Sequence, residues 1–187
     1  MPNEEQSTPS AVSNTGPLIS VFQSDSFELM STLFGTIHTS DTCLSELRQH
    51  GWGEFVAGFG SKLVGHKLTE AETTQATEWA GRIAMHPVSK DRDPSHHLGE
   101  AEVMVIAQRP EFAGAVLLLD ELAARAIATQ IGLVLSGFAG VLLLAVEENL
   151  LTVEALKAKL KHCQQAGTHY SDTFIEQVYQ AAKEGKK

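Results

Sequence analysis

The sequence predicts an α/β protein built on a parallel sheet, and three observations carry that prediction. Short apolar segments that read as strands alternate with helix-like stretches of about ten residues, the order expected of βαβ units. One of them, Val116-Leu117-Leu118-Leu119, runs straight into Asp120-Glu121 and then into a helix pattern. Another, Ala11-Val12-Ser13, ends on Asn14 ahead of Thr15-Gly16-Pro17, a turn and helix-start sequence. Right-handed crossovers bring successive strand ends to one edge. Open α/β sheets take their ligands along that carboxyl edge.

In chain order, residues 11–13 form a short strand, and Leu18, Ile19, Val21 and Phe22 favour a helix after it, with a second short helix at 27–33. Residues 35–38 are a weak strand, and Ser40 or Asp41 can cap the next helix, which carries Leu44, Glu46 and Leu47. Residues 51–60, glycine-rich with Trp52, Phe55 and Phe59, carry no clear pattern, and 62–64 is another weak strand. A helix spans 69–85, with Thr69 as cap and Glu72 at the capping-box position. Residues 87–98 are polar and read as a loop over the site. Helices at 99–108 and 121–130 flank the strand at 115–119, and 133–135 is a further strand. Helices at 139–148, 152–162 and 171–183 close the chain, with no internal repeat.

The 187 residues suffice for one domain of roughly 150 plus extensions. The expected division is a tail at 1–10, a core domain at 11–150 and C-terminal helices at 151–187. Apolar residues make up 43% of the chain, as in an ordinary globular protein, and no run reaches the ~18 residues of a membrane span. The first ten residues lack a basic region, so no signal peptide is expected. Cys43 and Cys163 are too few and too dispersed for a disulfide framework or a zinc site, which favours a reduced, cytoplasmic setting. A net charge of −9 argues against generic nucleic-acid binding, which needs lysines and arginines for phosphate contacts. A divalent metal supplying local positive charge would remove that objection.

The acids Glu46, Glu100, Glu102, Asp120 and Glu121 are the candidate chemistry. Carboxylates converging on one pocket repel one another and need a cation, and an oxygen-only set suits Mg²⁺ or Mn²⁺. Such ions activate water and support in-line attack at phosphorus. Glu100 and Glu102 diverge by about 200° on a helix, so they do not face one point equally. The alternative is that they are surface acids favoured by the helix dipole.

The residues together resemble the PIN-domain family. Val12-Ser13-Asn14-Thr15-Gly16-Pro17-Leu18-Ile19 is similar to the opening motif of a subgroup that reads Asp or Asn, Thr, any residue, Pro, Leu, Ile. Leu98-Gly99-Glu100-Ala101-Glu102 and Leu119-Asp120-Glu121-Leu122-Ala123-Ala124-Arg125 resemble its Gly-Glu-Ala-Glu and Asp-Asp…Ala-Arg motifs, in the right order. Residues 133–144 are similar to its final strand and helix, so the resemblance covers roughly residues 11–150.

The resemblance implies a three-layer α/β/α sandwich around a central parallel sheet, here with a C-terminal helical extension. It implies an acidic pocket for Mg²⁺ or Mn²⁺ and cleavage of single-stranded RNA, often as the toxin of a toxin–antitoxin pair. An antitoxin protein and a homodimer are the partners it suggests. By position, Asn14 takes the first acidic site, Glu46 the second, Glu102 or Glu100 the third, and Asp120, with Glu121 beside it, the fourth. Glu102 is preferred at the third, because it precedes the apolar run Val103-Met104-Val105-Ile106-Ala107. Asn14 departs from the family's charged ligand, offering a neutral carbonyl oxygen that attracts a cation less. A catalytically degenerate domain that binds RNA or protein is therefore the alternative function.

Around these ligands, Arg125 is expected to pair with Asp120 or to bind a substrate phosphate, pairing being preferred. Thr15 and Ser13 either bind substrate or cap the first helix, and Ser136 joins Thr15 and Arg125 as a substrate-binding candidate. His96-His97 read as solvated loop residues, and Cys163 as a buried or idle thiol. Trp52, Phe55 and Phe59 read as core or oligomer contacts rather than base-stacking residues. Lys183, Lys186 and Lys187 read as a solubilised helix end.

Overall fold

A computed structural model describes residues 9–185; the tail expected at 1–10 and the last lysines of the C-terminus lie largely outside them. The strands are β1 (Ala11–Ser13), β2 (Ile37–Ser40), β3 (Leu63–His66), β4 (Val116–Leu118) and β5 (Leu135–Ser136). They form a single sheet in the order β3-β2-β1-β4-β5, with every pairing parallel. The chain steps outward from β1 to β3, then returns to the other side of β1. The switch point therefore lies between β1 and β4, where a crevice opens at the carboxyl ends of the strands. Asn14 follows β1, and Asp120 stands two residues beyond β4.

Helices α1 (Thr15–Gln23), α2 (Phe27–Leu33), α3 (Asp41–Gln49) and α4 (Gly53–Phe59) belong to the first half. Next come α5 (Glu70–Met85), α6 (Leu98–Ala107), α7 (Leu122–Gln130) and α8 (Phe138–Glu147), and then α9 (Val153–Gln165) and α10 (Asp172–Gly185). Strand alternation sends side chains to two different cores. Ala11 and Leu118 join the core of α1, α2 and α8, while Val12, Leu117 and Leu119 join that of α5, α6 and α7. The result is the expected three-layer α/β/α arrangement. Leu156 and Leu160 of α9 and Ile175, Val178 and Ala182 of α10 lie in the same core as Leu18 and Leu142.

Local chemistry sets most boundaries. Thr69 and Glu72 close a capping box on α5, Ser40 caps α3 through the Cys43 N–H, and Thr152 caps α9. The unpatterned stretch after residue 50 is α4 followed by a 3-10 turn, and Phe59 is buried among aromatic rings of α1 and α2. Of the strand expected at 133–135 only Leu135 belongs to β5, with Ser136 after it. The loop at 87–98 contains a 3-10 turn, Pro94–His97. Its two histidines part company: His96 is exposed and pairs with Asp91 at 2.8 Å, whereas His97 is buried, its Nε2 3.1 Å from the Asp91 carbonyl. Reading both as solvated was wrong for His97, which anchors the loop.

Candidate active site at the sheet edge

Asn14 is the hinge of the site. Its backbone N–H donates to the Leu118 carbonyl at 3.0 Å, tying the end of β1 to β4 at the switch point. The side chain is buried, 6% exposed. Its Nδ2 donates to Glu100 Oε1 at 2.9 Å, and its Oδ1 accepts from the Cys43 thiol at 3.3 Å. Glu46 enters from α3, where Thr15 Oγ1 donates to its Oε2 at 2.6 Å. Gly99 lets these groups meet. A Cβ there would stand 3.2 Å from Asn14 Oδ1, 3.3 Å from Cys43 Sγ and 3.5 Å from Glu46 Oε1. A larger residue at the head of α6 would crowd Asn14 and Cys43 and come into contact with Glu46.

The two acids of α6 part, as the helical divergence between them requires. Glu100 turns to Asn14 and lies in the field of Glu46, while Glu102 accepts from Thr42 Oγ1 at 2.9 Å. The structure thus gathers Asn14, Glu46 and Glu100, and sets Glu102 against α3 instead. Burial pushes the Glu100 carboxyl up from the usual carboxylate range. The Asn14 hydrogen bond opposes that shift, and the Glu46 charge adds to it.

Asp120 forms the second part of the site. Its Oδ1 accepts from the Phe138 N–H at 3.2 Å, at the start of α8, and its Oδ2 lies beside Gly16. Burial raises its carboxyl, against the pull of the Phe138 N–H and the Arg125 charge. Gly137 is extended, a conformation open to any residue, yet a Cβ there would collide with Asp120 Oδ1. Close approach, not backbone freedom, makes that position a glycine.

Several neighbours take roles different from those expected. Arg125 forms no ion pair with Asp120 among the described residues; its Nη1 donates to the Leu119 carbonyl at 2.6 Å. Glu121 caps α7 by accepting from the Ala124 N–H. Thr15 holds Glu46 rather than capping α1, and Ser13 donates to the Asn14 carbonyl. Ser136 lies at the end of β5 and lines the cavity that opens on Asp120. Cys43 and Thr42 carried no pattern in the sequence that tied them to the site; only the pitch of α3 brings one to Asn14 and the other to Glu102.

The donor set of Asn14, Glu46, Glu100 and Asp120 is all oxygen, as a hard divalent cation requires. No ion pair among the described residues reaches these acids, so their burial is uncompensated by lysine or arginine contact. Chemically they fit such an ion. In charge the set is lean: no three His, Cys, Asp or Glu side chains among the described residues are gathered as a metal would hold them. The neutral Asn14 stands where a third acid would complete the group.

A three-layer sandwich with half-buried carboxylates at the carboxyl edge of a parallel sheet defines a class of α/β proteins whose chemistry happens at one sheet edge. Within it the assignment is specific. The chain belongs to the PIN-domain family: the family model described as DUF3368, PIN domain, matches residues 10–184. PIN domains are nuclease-type domains that generally use divalent metals. No curated protein and no solved structure matches the chain. No helix among the described residues is long and apolar enough to cross a membrane.

Proposed function

We propose that the protein is a divalent-metal-dependent ribonuclease acting on single-stranded RNA, as the toxin of a toxin–antitoxin pair. The observation that carries this reading is the meeting of half-buried Glu100 and Glu46 with buried Asn14, without a basic side chain bound to them among the described residues. Glu46 and Glu100 would hold Mg²⁺ or Mn²⁺ through carboxylates and Asn14 through its carbonyl, and Asp120, which is not gathered with the other two acids among the described residues, would join them only if the ion drew it in. Bound there, the ion would supply positive charge for a phosphodiester and lower the pKa of a water. Thr15 keeps Glu46 aimed at the crevice, and Gly16 and Gly137 leave room for Asp120. Burial raises the Glu100 and Asp120 carboxyls, a cost to their charged forms that a bound cation would offset.

Purified protein with Mn²⁺ should cleave a single-stranded RNA, and Asp120→Ala and Glu100→Gln should not. Cleavage by both variants at the wild-type rate would sink the site assignment. Glu102→Gln distinguishes the two acids of α6, since its hydrogen bond to Thr42 directs it away from Asn14. It should retain most activity.

One observation favours a second reading, a catalytically degenerate domain that binds RNA or protein. The Asn14 amide already satisfies Glu100 without any ion. Calorimetric titration with Mn²⁺ separates the two, because no heat at millimolar metal selects the scaffold. We further infer a homodimer through the face around Phe55, which is 49% exposed beside Trp52 and Phe22 and borders a cavity of about 300 Å³.

A further inference from the structure

A second cavity, of about 600 Å³, opens on Asp120 between β5, α7 and α8 and the segment that joins α9 to α10. From the domain it receives Asp120, Arg125 and Ser136, and from the joining segment and α10 it receives His169, Tyr170 and Phe174. Three properties of this wall go together. Tyr170 and Phe174 are neighbours, ring centroids 5.4 Å apart and planes tilted by 30°, and Phe174 keeps 36% of its surface exposed. Arg125 spends one N–H on the Leu119 carbonyl and meets no carboxylate within ion-pair distance among the described residues, leaving most of its donor fork to a ligand. The platform is also held in place. Gln164 donates to the Tyr170 carbonyl at 2.7 Å, Thr168 to Gln23 at 2.6 Å, and the Tyr170 hydroxyl lies 3.4 Å from Ser20 Oγ.

We propose that this cavity is a nucleotide subsite, in which one base of single-stranded RNA stacks on Phe174 while Arg125 binds the adjoining phosphate. The inference rests on the nuclease reading above and names where its substrate lies. An aromatic face accepts any base, and a guanidinium fork matches a phosphate. A chain of net charge −9 needs such a local cation where the strand enters. Asp120 lines the cavity and its Oδ2 lies beside Gly16, two residues past Asn14, so a nucleotide seated here would bring its neighbouring phosphodiester toward the sheet edge that carries Glu46 and Glu100. On this reading the C-terminal helices are part of the substrate site as well as of the core.

The test is anisotropy of a fluorescein-labelled ten-nucleotide oligo(A) RNA, measured at low salt in EDTA so that no cleavage occurs. Phe174→Leu, which keeps the apolar bulk and loses the aromatic face, should weaken binding roughly fivefold or more. Arg125→Gln should weaken it and flatten its salt dependence. Photo-crosslinking of an iodouridine-substituted oligomer should label the peptide containing Tyr170 and Phe174. Wild-type affinity in Phe174→Leu, or crosslinks only outside that peptide, overturns the subsite even if the protein cleaves RNA. Absence of any binding by the wild type also overturns it, and would leave the cavity to a protein side chain. Loss of cleavage with intact, Phe174-dependent binding overturns only the nuclease reading.

Discussion

Asn14→Asp is the substitution that tests the centre of the site most directly. It replaces a donor 2.9 Å from Glu100 Oε1 with a second carboxylate. Two like charges about 3 Å apart repel by about 5 kcal/mol at an effective dielectric constant near 20. The pair avoids the full penalty by sharing one proton, with the protonated acid donating in place of the lost amide. At about pH 7.5, roughly three units above an ordinary glutamate, holding that proton limits the destabilisation to about 4 kcal/mol. At about pH 5 the same limit is about 1 kcal/mol. For a chain of this size each kcal/mol moves Tm by roughly 2–4 °C. The variant should therefore melt about 8–16 °C lower at the higher pH and only a few degrees lower at the lower one.

Metal should reverse the loss, because the shared proton is then displaced by a cation that the added charge holds more tightly. At a hundredfold excess over Kd, ligand linkage restores about 2.7 kcal/mol. Differential scanning fluorimetry with Mn²⁺ or EDTA reads both effects. Mn²⁺ should raise the Tm of Asn14→Asp by several degrees at about pH 7.5 and that of the wild type by less. A variant as stable as the wild type in EDTA would refute the Asn14–Glu100 contact. One that is destabilised but indifferent to Mn²⁺ would refute the metal pocket.

The remaining predictions concern the scaffold. Glu72, paired with Arg109 at 2.7 Å and capping α5, has its carboxyl held down to about 2, chiefly by the Arg109 hydrogen bond. A depressed acid stabilises above its unfolded pKa and loses that contribution as pH falls toward the folded value. Discounted for screening at this partly exposed pair, Glu72→Gln should cost about 1 kcal/mol near neutral pH and nothing near pH 2, by urea denaturation. His66 accepts at Nδ1 from Arg109 at 3.3 Å, so its Nε2–H donates to His38 Nδ1 at 2.8 Å. Burial holds both histidines below their ordinary value, with Arg109 adding to the effect on His66, His66 to that on His38, and Glu111, Asp41 and Glu72 opposing. The unfolded chain then binds more protons below about pH 6.5, and stability falls as pH drops. The difference between wild type and His38→Gln, which cancels the opposite contribution of Glu100 and Asp120, should shrink between about pH 7.5 and 5.5. Gly137→Ala should displace Asp120, lowering stability by about 1–3 kcal/mol and abolishing cleavage. Phe55→Glu should give a monomer by light scattering where the wild type gives the proposed dimer, with an unchanged circular dichroism spectrum and a lower, less concentration-dependent Tm.

The sheet was legible because its strands are buried on both faces. Val116-Leu117-Leu118-Leu119 reads as a strand without any partner, and the turn chemistry of Asn14-Thr15-Gly16-Pro17 marks the end of β1. The capping box at Thr69 and Glu72 needs only local spacing, and it formed as spaced. Segments whose order depends on distant contacts were not legible. α4 has two glycines and acquires its shape by packing Phe59 on Phe22 and Phe27. The buried state of His97 follows from Ser89 and Asp91, which no pattern links to it. At the site, motif order gave the acids but not their aim. Glu102 has the apolar run behind it, yet the start of α6 is rotated so that Glu100 meets Asn14. The platform of Tyr170 and Phe174 sits some fifty residues beyond Asp120 with no motif of its own, and only the packing of α10 on α8 and α9 brings it there.

Asparagine at position 14 has a physical logic that aspartate lacks. Its amide donates from Nδ2 to Glu100 and accepts at Oδ1 from the Cys43 thiol. For Asn14 to offer its carbonyl to a cation beside Glu100 the amide would have to turn over, placing Nδ2 toward Cys43 Sγ. Cys43 permits this, because a thiol is both a weak donor and a weak acceptor and commits the amide to neither orientation. Burial raises that thiol's pKa, keeping it neutral and preserving the choice. An aspartate could serve only the metal-bound state and would repel Glu100 in the other. On the proposed metal-binding reading, Asn14 would exchange cation affinity for a crevice that stays hydrogen-bonded without an ion, which is why the Mn²⁺ and EDTA melts of Asn14→Asp should separate.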